Sequence, residues 1–274
     1  MKRSSDEKPY VLGTGDDELA RLGLQHQLWL EQAASAWERA RFNPGHALLD
    51  VGCGPGHATF DLSRRVGHAG SILAVDRSER FIRHLRDQAR ARGVTNISAA
   101  IADVESLDLA AATLDGAYAR WVLCFVARPD QVLAGVAHGL KPGRPLVVQD
   151  YFRYESITIA PTCPVFEKVF HAVAQSWRLQ GGNPDIGQIL PKLMTRAGFE
   201  VTEIRPLVRT ARPGSLLWNW PDSFFRMHLN PLVEMGLIDP SDSGDFLREW
   251  EQRCGDPSSV FLTPPMVEVI GVKI

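Results

Sequence analysis

The chain has 274 residues, of which 45% are hydrophobic and 23% are charged, so its composition is that of a globular protein. Its 30 basic and 32 acidic residues give a net charge of −2, which provides no field that would attract nucleic acid or an anionic membrane. No stretch approaches the ~20 apolar residues of a transmembrane helix, and the polar N-terminus lacks the apolar core of a signal peptide. We therefore expect a cytoplasmic protein that binds neither nucleic acid nor membranes.

Helical and strand patterns alternate along the first half of the chain. Apolar residues recur at helical spacing over residues 16–42, which predicts one or two helices, and Thr14 begins a sequence that resembles a capping box. Short apolar runs then predict five strands, and the first two lack alternation, which suits strands that are buried on both faces. These runs, with predicted helices between them, lie at 47–51, 71–75, 97–101, 114–126 and 146–148. The alternation predicts a doubly wound α/β sheet of mostly parallel strands.

The pattern changes after residue 151. Two helices and two strands are predicted, in that order, at 164–180, 187–197, 199–204 and 266–272. Residues 213–260 are rich in Trp, Pro and Phe and show no strand pattern. We interpret the chain as an N-terminal helical segment, 1–45, followed by one α/β domain, 46–274, which carries insertions near 152–185 and 206–262.

A glycine-rich loop, Asp50-Val51-Gly52-Cys53-Gly54-Pro55-Gly56, joins the first predicted strand to the next predicted helix. Its three alternate glycines let the backbone approach a ligand closely, because glycine has no Cβ. The N-terminus of the following helix adds free N–H groups and the positive end of the helix dipole. The loop is therefore predicted to hold a polar, partly anionic ligand.

Two ligands suit such a loop. A dinucleotide-binding loop has the pattern G-x-G-x-x-G, and its third glycine would fall at position 57, where this chain has His57. The other ligand is S-adenosylmethionine, whose ribose needs an acidic residue at the end of the second strand. Asp76 occupies that position, but an acid there fits the ribose of either ligand. His57 disfavours the dinucleotide, and the residues alone leave both ligands open.

Four segments in order resemble the motifs of class I S-adenosylmethionine-dependent methyltransferases. LLDVGCGPGHAT (48–59) is similar to the first motif of that family, AVDRS (74–78) to the second and IADVESLDL (101–109) to the third. LKPG (140–143) resembles the turn before the fifth strand, with Arg144 where a second glycine is usual. The resemblance covers residues 48–150 and implies a Rossmann-like methyltransferase fold with a seven-stranded, mostly parallel sheet and helical insertions after strands five and six.

The segment YVLGTGDDELARLGLQHQLW (10–29) resembles the N-terminal lid of small-molecule methyltransferases of the quinone-biosynthesis and natural-product type. A lid of this kind closes over a bound cofactor and shields the methyl group from water. We expect residues 1–29 to act in this way, and we expect the α/β core to fold without them because all predicted strands begin after residue 45.

The resemblance also implies which residues contact the methionine part of the cofactor. Gly52 and Cys53 would lie along it through their backbone atoms. Arg120, just past the fourth strand, would contact it chiefly through its backbone. In the lid, Tyr10 and Gln25 would reach the methionine carboxylate.

Four further residues are implied to contact the adenosine part. Asp76 would accept hydrogen bonds from both ribose hydroxyls, which is a charge-assisted contact. Arg77 would flank the adenine. Asp103 would accept a hydrogen bond from the adenine amino group, and the Val104 N–H would donate to a ring nitrogen.

The candidates for a catalytic side chain are Asp150, Tyr151 and His171. Asp150 and Tyr151 end the fifth strand, at the edge where ligands bind in such sheets. His171 lies in an otherwise apolar predicted helix, where a histidine is more often structural than catalytic. Trp218, Trp220, Phe224 and Phe225 in the second insertion suit either a core or the wall of a hydrophobic substrate pocket.

The resemblance implies an enzyme that moves a methyl group from S-adenosylmethionine to an O, N or C atom of a small-molecule acceptor. The four cysteines and the rest of the sequence show no metal-ligand spacing, so no metal is expected. Two alternatives remain, a nicotinamide-dependent oxidoreductase and an S-adenosylmethionine-binding interaction protein without turnover. The acceptor and the target atom are left open, and a homodimer is among the oligomeric states left open.

Overall fold

The structure, a computed structural model, describes residues 14–274, so Tyr10 lies outside the described residues. The helices are α1 Asp16–Arg39, α2 His57–Val66, α3 Glu79–Ala91, α4 Pro129–Gly139, α5 Pro164–Leu179, α6 Leu190–Arg196, α7 Asn219–Glu234 and α8 Pro240–Gly255. The strands are β1 Ala47–Val51, β2 Ser71–Asp76, β3 Ile97–Ile101, β4 Gly116–Arg120, β5 Pro145–Tyr151, β6 Thr158–Ala160, β7 Phe199–Leu207, β8 Thr210–Ala211, β9 Val260–Leu262 and β10 Met266–Lys273.

Seven of the strands form one sheet in the order β3-β2-β1-β4-β5-β10-β7. Strands β1 to β5 are parallel, and β10 runs antiparallel to both of its neighbours, β5 and β7. This topology confirms the predicted seven-stranded, mostly parallel, doubly wound sheet. The strand order reverses between β1 and β4, and ligands bind at the carboxyl ends of the strands that flank such a reversal.

Three short antiparallel strands form a second sheet in the order β6-β9-β8, which the sequence analysis does not predict. These strands have only two or three residues each, which is too short for an alternating pattern to appear. Strand β6 belongs to the first insertion, and β8 and β9 belong to the second. The small sheet therefore ties the two insertions together.

Helix α1 is continuous over 24 residues. Its N-cap is Gly15, and no side chain caps the first turn, so the capping box predicted at Thr14 is wrong. Trp29 is 1% exposed and belongs to the hydrophobic core, and Trp37 is buried farther along the same helix. Removing residues 1–29 would cut this helix and delete Trp29. The expectation that the core folds unchanged without these residues therefore conflicts with the structure.

Aromatic side chains hold the insertion helices to one another. The ring of Phe246 on α8 lies 5.2 Å from that of Phe166 on α5 and 4.9 Å from that of Phe225 on α7. Phe170 and Phe225 are 5.4 Å apart. Such contacts add a specific geometry to the large apolar area that the rings bury. Across residues 14–274, no helix combines the length and apolarity needed to cross a membrane.

Candidate active site

A cavity opens at the carboxyl ends of β1, β4 and β5, beside the reversal in strand order. Helix α1 covers one side of it, and α5 and α7 from the two insertions contribute to its walls. The fold brings most of the predicted site residues to this cavity. Those that line it are Gln25, Gly52, Cys53, Asp76, Arg77, Asp103, Val104, Arg120 and Tyr151.

The glycine loop forms part of the cavity wall with a backbone that only glycine adopts easily. Gly54 and Gly56 have φ values of 55° and 91°, in the left-handed region. A Cβ on Gly56 would lie 2.3 Å from Cδ1 of Leu85, so the loop is seated closely on α3. A Cβ on Gly54 would meet nothing within 4 Å, because this residue faces open space. The loop therefore packs closely against α3 at Gly56 and leaves unfilled space on the cavity side at Gly54.

Alanine substitutions at these two glycines should have different effects, chiefly on ligand affinity at Gly54 and chiefly on protein stability at Gly56. Gly54→Ala costs about 1–2 kcal/mol for the left-handed backbone and places a methyl group on the cavity wall. We expect a folded protein with weakened S-adenosylmethionine affinity. Gly56→Ala overpacks the contact with Leu85, so we expect a stability loss of about 1–3 kcal/mol. Denaturant unfolding and calorimetric titration measure the two effects. Unchanged ligand affinity in Gly54→Ala would contradict the position assigned to this loop.

Asp76 presents a fixed carboxylate to the cavity. Its Oδ2 accepts a hydrogen bond of 2.9 Å from the Gly54 N–H, and its Oδ1 accepts one of 2.8 Å from the Ser78 N–H. The residue is 3% exposed, and burial raises the pKa of its carboxyl, although the two backbone N–H groups oppose that shift. Each oxygen retains a lone pair for a further donor. Asp76 is thus oriented to accept hydrogen bonds from two adjacent hydroxyls.

Asp103 has a structural contact and also faces the cavity. Its Oδ1 accepts a hydrogen bond of 2.9 Å from the Glu105 N–H and caps the short 3₁₀ helix Val104–Ser106. Val104 is buried and Arg77 lies on the same wall. The contacts of these three residues with adenine remain predictions.

Asp50 is a buried carboxyl group beside the glycine loop. It is 3% exposed, and the Thr59 hydroxyl donates to its Oδ2 at 2.6 Å. Burial raises the pKa of Asp50 to about 7, while the Thr59 hydrogen bond and the charge of Arg120 act in the opposite direction. Ionised Asp50 therefore gains from a positive group placed beside it in the cavity.

Asp50→Asn should change how stability depends on pH. The unfolded carboxyl ionises above its ordinary pKa of 3.8, whereas the folded one stays protonated up to about 7. The wild-type protein therefore loses stability as pH rises between these values and loses no more above them. Asparagine does not ionise, so the stability of the variant does not fall in this way. We therefore expect the stability of the variant relative to the wild type to increase as pH rises across this window. Thermal unfolding of both proteins from about pH 4 to about pH 8 measures the difference. A stability difference between the two proteins that does not change with pH would contradict the burial of this carboxyl group.

Polar side chains on α1 close the cavity from above. Arg21 donates to both oxygens of Glu18 at 2.6 Å, and the two residues are 4% and 1% exposed. Arg21 also donates to Oε1 of Gln25 at 2.9 Å, and Trp220 on α7 donates to the same oxygen at 2.8 Å. Gln25 therefore links the N-terminal helix to the second insertion, and its amide nitrogen donates no hydrogen bond within residues 14–274.

The guanidinium of Arg120 lies in the cavity wall, whereas the resemblance implies a contact through its backbone. Its Nη2 donates to Nδ1 of His26 at 2.7 Å, and its Nη1 is buried with no hydrogen-bond partner within residues 14–274. His26 in turn contacts Asp61, with 2.6 Å between Nε2 and Oδ2. Burial, with the charge of Arg120, lowers the pKa of His26 to about 3. The neutral ring therefore accepts at Nδ1 and donates at Nε2.

Aromatic rings line the end of the cavity next to β4 and β5, which we call the aromatic chamber. The Tyr151 ring stacks on Trp177 at 5.6 Å, and the Tyr154 ring lies 5.2 Å from Tyr151. The Tyr151 and Tyr154 hydroxyls bond no other residue in the described chain. Trp121 adopts a φ of 53°, a strained value for a bulky residue of the kind that clusters at ligand sites. The residues of the aromatic chamber are Trp121, Phe125, Tyr151, Tyr154, Trp177, Trp220, Phe224, Phe225 and Phe261.

Two of the three catalytic candidates lie outside the cavity lining. Asp150 is fully buried and accepts hydrogen bonds from the N–H groups of Cys124 at 3.1 Å and Tyr151 at 2.8 Å, so it braces the turn after β4. The His171 side chain is 63% exposed and lies 2.8 Å from Glu155 at the surface. Neither is placed to act on a ligand in this cavity, and only Tyr151 remains a candidate.

The sequence analysis did not single out Glu18, Arg21 or His26. Glu18, Arg21 and Gln25 share a face through their spacing of three and four residues. That regular row of polar residues on a helix is the signal that could have identified them.

A sequence profile of a methyltransferase domain family matches residues 48–143. This part of the chain is a methyltransferase domain. An uncharacterized 37.1 kDa protein in transposon TN4556 of Streptomyces fradiae is 30% identical to the chain over 170 residues, which cover 62% of this chain and 48% of that protein. The chain thus spans about half the length of that relative.

Two further proteins are similar to the chain that carries this methyltransferase domain. The ubiquinone/menaquinone biosynthesis C-methyltransferase UbiE of Hydrogenovibrio crunogenus is 28% identical over 194 residues, covering 65% of this chain and 74% of that protein. The structure of geranyl diphosphate C-methyltransferase from Streptomyces coelicolor A3(2) superposes with a TM-score of 0.58 at 14% identity, covering 91% of this chain and 77% of that one. The structural likeness supports the Rossmann-like methyltransferase fold.

The cavity of the methyltransferase domain fits S-adenosylmethionine. Gly54 leaves open space at the loop, and Asp76 offers two fixed acceptors. S-adenosylmethionine is the cofactor of such domains, and the nicotinamide alternative is not favoured. No group of three or more potential metal ligands occurs among the described residues.

Proposed function

We propose that the protein transfers a methyl group from S-adenosylmethionine to an O, N or C atom of a small, largely apolar acceptor. The observation that carries this proposal is the continuity of the cavity. One end has the glycine loop and Asp76, and the other end is the aromatic chamber. A bound cofactor and an acceptor would therefore share one enclosed space.

The cofactor end supplies binding and orientation. Asp76 would hold the ribose, Asp103 and Val104 would contact the adenine, and the backbone at Gly52 and Cys53 would lie along the methionine part. These assignments agree with the motif resemblance and with the placement of all five residues in the cavity lining. We propose that the N-terminal part of α1 is the lid, because Gln25 joins it to Trp220 across the cavity.

The aromatic chamber favours a small molecule over a nucleic acid as the acceptor. Its walls are rings from α5, α7 and the loops after β4 and β5, and they offer large apolar area with few hydrogen-bonding groups. The net charge of −2 provides no attraction for a phosphate backbone. Two similar proteins are consistent with a small-molecule acceptor, UbiE, which is named for ubiquinone/menaquinone biosynthesis, and geranyl diphosphate C-methyltransferase.

The chain's own residues need only position the acceptor and exclude water. When bound, S-adenosylmethionine supplies a methyl group that its sulfonium already makes electrophilic. Orientation of two reactants can lower a barrier by about 7–11 kcal/mol. The aromatic chamber restricts the acceptor, and the Tyr151 hydroxyl is free to bond an oxygen or nitrogen of it. We therefore propose that methyl transfer in this cavity does not depend on a strong general base.

Tyr151→Phe should lower turnover without lowering stability. The Tyr151 hydroxyl has no partner in the described chain, so its removal leaves no protein group unsatisfied. We expect kcat to fall about tenfold or more, as for one lost orienting hydrogen bond. Tyr118→Phe is the matched control, because the Tyr118 hydroxyl donates to buried Gln149 at 2.8 Å. That variant should lose about 1 kcal/mol of stability. Full activity in Tyr151→Phe would remove the proposed role of its hydroxyl.

Methyl transfer is tested directly by incubating the protein with methyl-labelled S-adenosylmethionine and a panel of phenols, amines and isoprenoid acceptors. We expect S-adenosylhomocysteine and a labelled product with at least one apolar acceptor, and none with Asp76→Ala. Cofactor binding without turnover across the whole panel would favour the alternative, an S-adenosylmethionine-binding interaction protein.

A further inference from the structure

Two stacked histidines lie where helix α1 packs on the rest of the molecule. His26 belongs to α1 and His57 is the first residue of α2, and their ring centroids are 5.9 Å apart at an interplanar angle of 22°. Both residues line the cavity that α1 covers. The hydrogen bonds around each ring determine which charge state allows α1 to pack there.

His26 packs against α2 and β4 as a neutral ring. The guanidinium of Arg120 has no lone pair to offer, so Nδ1 of His26 accepts from it at 2.7 Å. The single ring proton therefore lies on Nε2, which is 2.6 Å from Oδ2 of Asp61. A second proton would enter at Nδ1, where it would break the hydrogen bond to Arg120 and set an imidazolium against a guanidinium. The packed position of α1 therefore excludes the protonated form of His26.

His57 has a ring nitrogen that α1 shields from solvent. Its Nε2 is buried and has no hydrogen-bond partner within residues 14–274. A Cβ on Gly23 of α1 would lie 3.5 Å from this nitrogen, so the helix lies directly over it. A proton added at Nε2 would be a buried charged donor without an acceptor, which is more costly than a neutral one. The same helix position therefore excludes the protonated form of His57 as well.

The charged groups around the two rings do not favour a proton on either of them. Those that face the pair are Arg120 of β4, Asp61 and Arg64 of α2, and His84 of α3. Asp61 is the one acid among these groups, and it already accepts hydrogen bonds from both His26 and Arg64. A further proton on His26 would therefore gain little from this carboxylate.

Burial is the largest cause that keeps both rings neutral. Together with the charges of Arg120 and Arg64, it lowers the pKa of His26 to about 3. It also lowers the pKa of His57 to about 4, with the neighbouring histidine acting in the same direction and a hydrogen bond to the Leu19 backbone acting against it. Both shifts depend on α1 being in place, because α1 carries one ring and covers the other.

The first turns of α1 depend on these contacts, because their own sequence supports a helix weakly. Gly15 is the N-cap, and no side chain caps the first turn. Gly23 lies inside the helix, where glycine is among the least favourable residues. Farther along, Trp29 and Trp37 are buried in the hydrophobic core. Residues 16–26 can therefore open as a local unit while the rest of the helix stays in place.

We propose that residues 16–26 of α1 form a proton-controlled cover of the cavity, which stays closed while His26 and His57 are neutral and opens when either ring takes up a proton. Neutral pH therefore closes the cavity and acid opens it. The inference does not rest on the proposed function, because it concerns the protein without a ligand.

The size of the effect follows from the linkage between protonation and closure. In the open state both rings regain the ordinary pKa of 6.5, whereas in the closed state they stay neutral down to about 4 or below. The closed state binds fewer protons, so it loses stability as pH falls below about 6.5 and loses no more below the closed-state pKa values. Each histidine thus weakens closure about 30-fold between about pH 7.5 and about pH 5.

Amide hydrogen exchange in the ligand-free protein tests the proposal. Protection factors, which correct for the effect of pH on the intrinsic exchange rate, are compared between residues 16–26 and strand β1 at about pH 7.5 and about pH 5. In the wild type, we expect the protection of residues 16–26 to fall about 30-fold to 1,000-fold, for one or two protons, and that of β1 to fall less. His26→Asn/His57→Asn has no ring to protonate and should show nearly equal protection at both pH values. His68→Asn, which changes an exposed histidine outside the cavity lining, is the control and should keep the wild-type pH dependence.

A second measurement needs no variant and decides the question if the double variant does not fold. NMR titration of the histidine Cε1–H resonances in the wild type should show His26 and His57 taking up protons only as residues 16–26 lose protection. Protonation of both rings while residues 16–26 remain protected would overturn the proposal. Equal pH dependence of protection in the wild type and the double variant would overturn it too, as would wild-type protection that does not change with pH.

Discussion

Asp76→Ala should weaken S-adenosylmethionine binding at least about 100-fold, because two hydrogen bonds to a charged acceptor are lost at about 1.5–3 kcal/mol each. The carboxylate is already oriented by the N–H groups of Gly54 and Ser78, so the wild type spends little free energy on ordering it. Calorimetric titration of the variant against the wild type measures the loss.

A matched control for this variant is Asp108→Ala, which removes an exposed carboxylate outside the cavity lining. Its affinity should equal that of the wild type. Thermal unfolding checks that Asp76→Ala is folded, since the loss of its bonds to Gly54 and Ser78 also affects the loop. Unchanged affinity in a folded Asp76→Ala protein would show that the ribose assignment is wrong.

Arg21→Met should destabilise the protein by about 3–5 kcal/mol, because it leaves the Glu18 carboxylate buried without a counterion. The two residues are 4% and 1% exposed, so water does not replace the missing partner. The change also removes the donor that holds Oε1 of Gln25. Denaturant unfolding measures the loss of stability.

The double variant Glu18→Gln/Arg21→Met separates the charge from the packing. It removes both ions, so we expect it to recover most of the stability lost in the single variant. A single variant within about 1 kcal/mol of the wild type would mean that the pair behaves like an exposed one.

The cofactor end of the site is the part that the sequence predicts well. The glycine loop lies within one strand–loop–helix unit, and Asp76 ends the next strand, so local order along the chain fixes their relative positions. Strand β2, Ser71–Asp76, is a short apolar run between two clear helices, and it lies where the pattern predicts. The local sequence is sufficient to predict the relative positions of site residues when all of them belong to one βαβ unit.

The acceptor end depends on contacts between distant parts of the chain. Tyr151, Trp177 and Trp220 come from β5, α5 and α7, and no spacing along the sequence relates them. The inward face of the first two turns of α1 is not predicted either, because it carries Glu18 and Arg21 rather than apolar residues. Their burial is possible only because each satisfies the other, and this pairing appears only in the folded structure.

The sequence predicts the backbone position of Arg120 but not the direction of its side chain. Its place after β4 predicts a location near the cofactor, which the cavity lining agrees with. The direction of its side chain depends on His26, which lies 94 residues earlier on α1. Strand order can place a backbone, but the partner of a side chain is set by tertiary packing.

We expect this chain to bind S-adenosylmethionine at the carboxyl ends of β1 and β4. Calorimetric titration of the purified protein with S-adenosylmethionine, S-adenosylhomocysteine and NAD(H), each in turn, tests it most directly. The structure predicts saturable binding of both adenosylated amino acids at one site per chain and no binding of NAD(H). Binding of NAD(H), with neither S-adenosylmethionine nor S-adenosylhomocysteine bound, would contradict it.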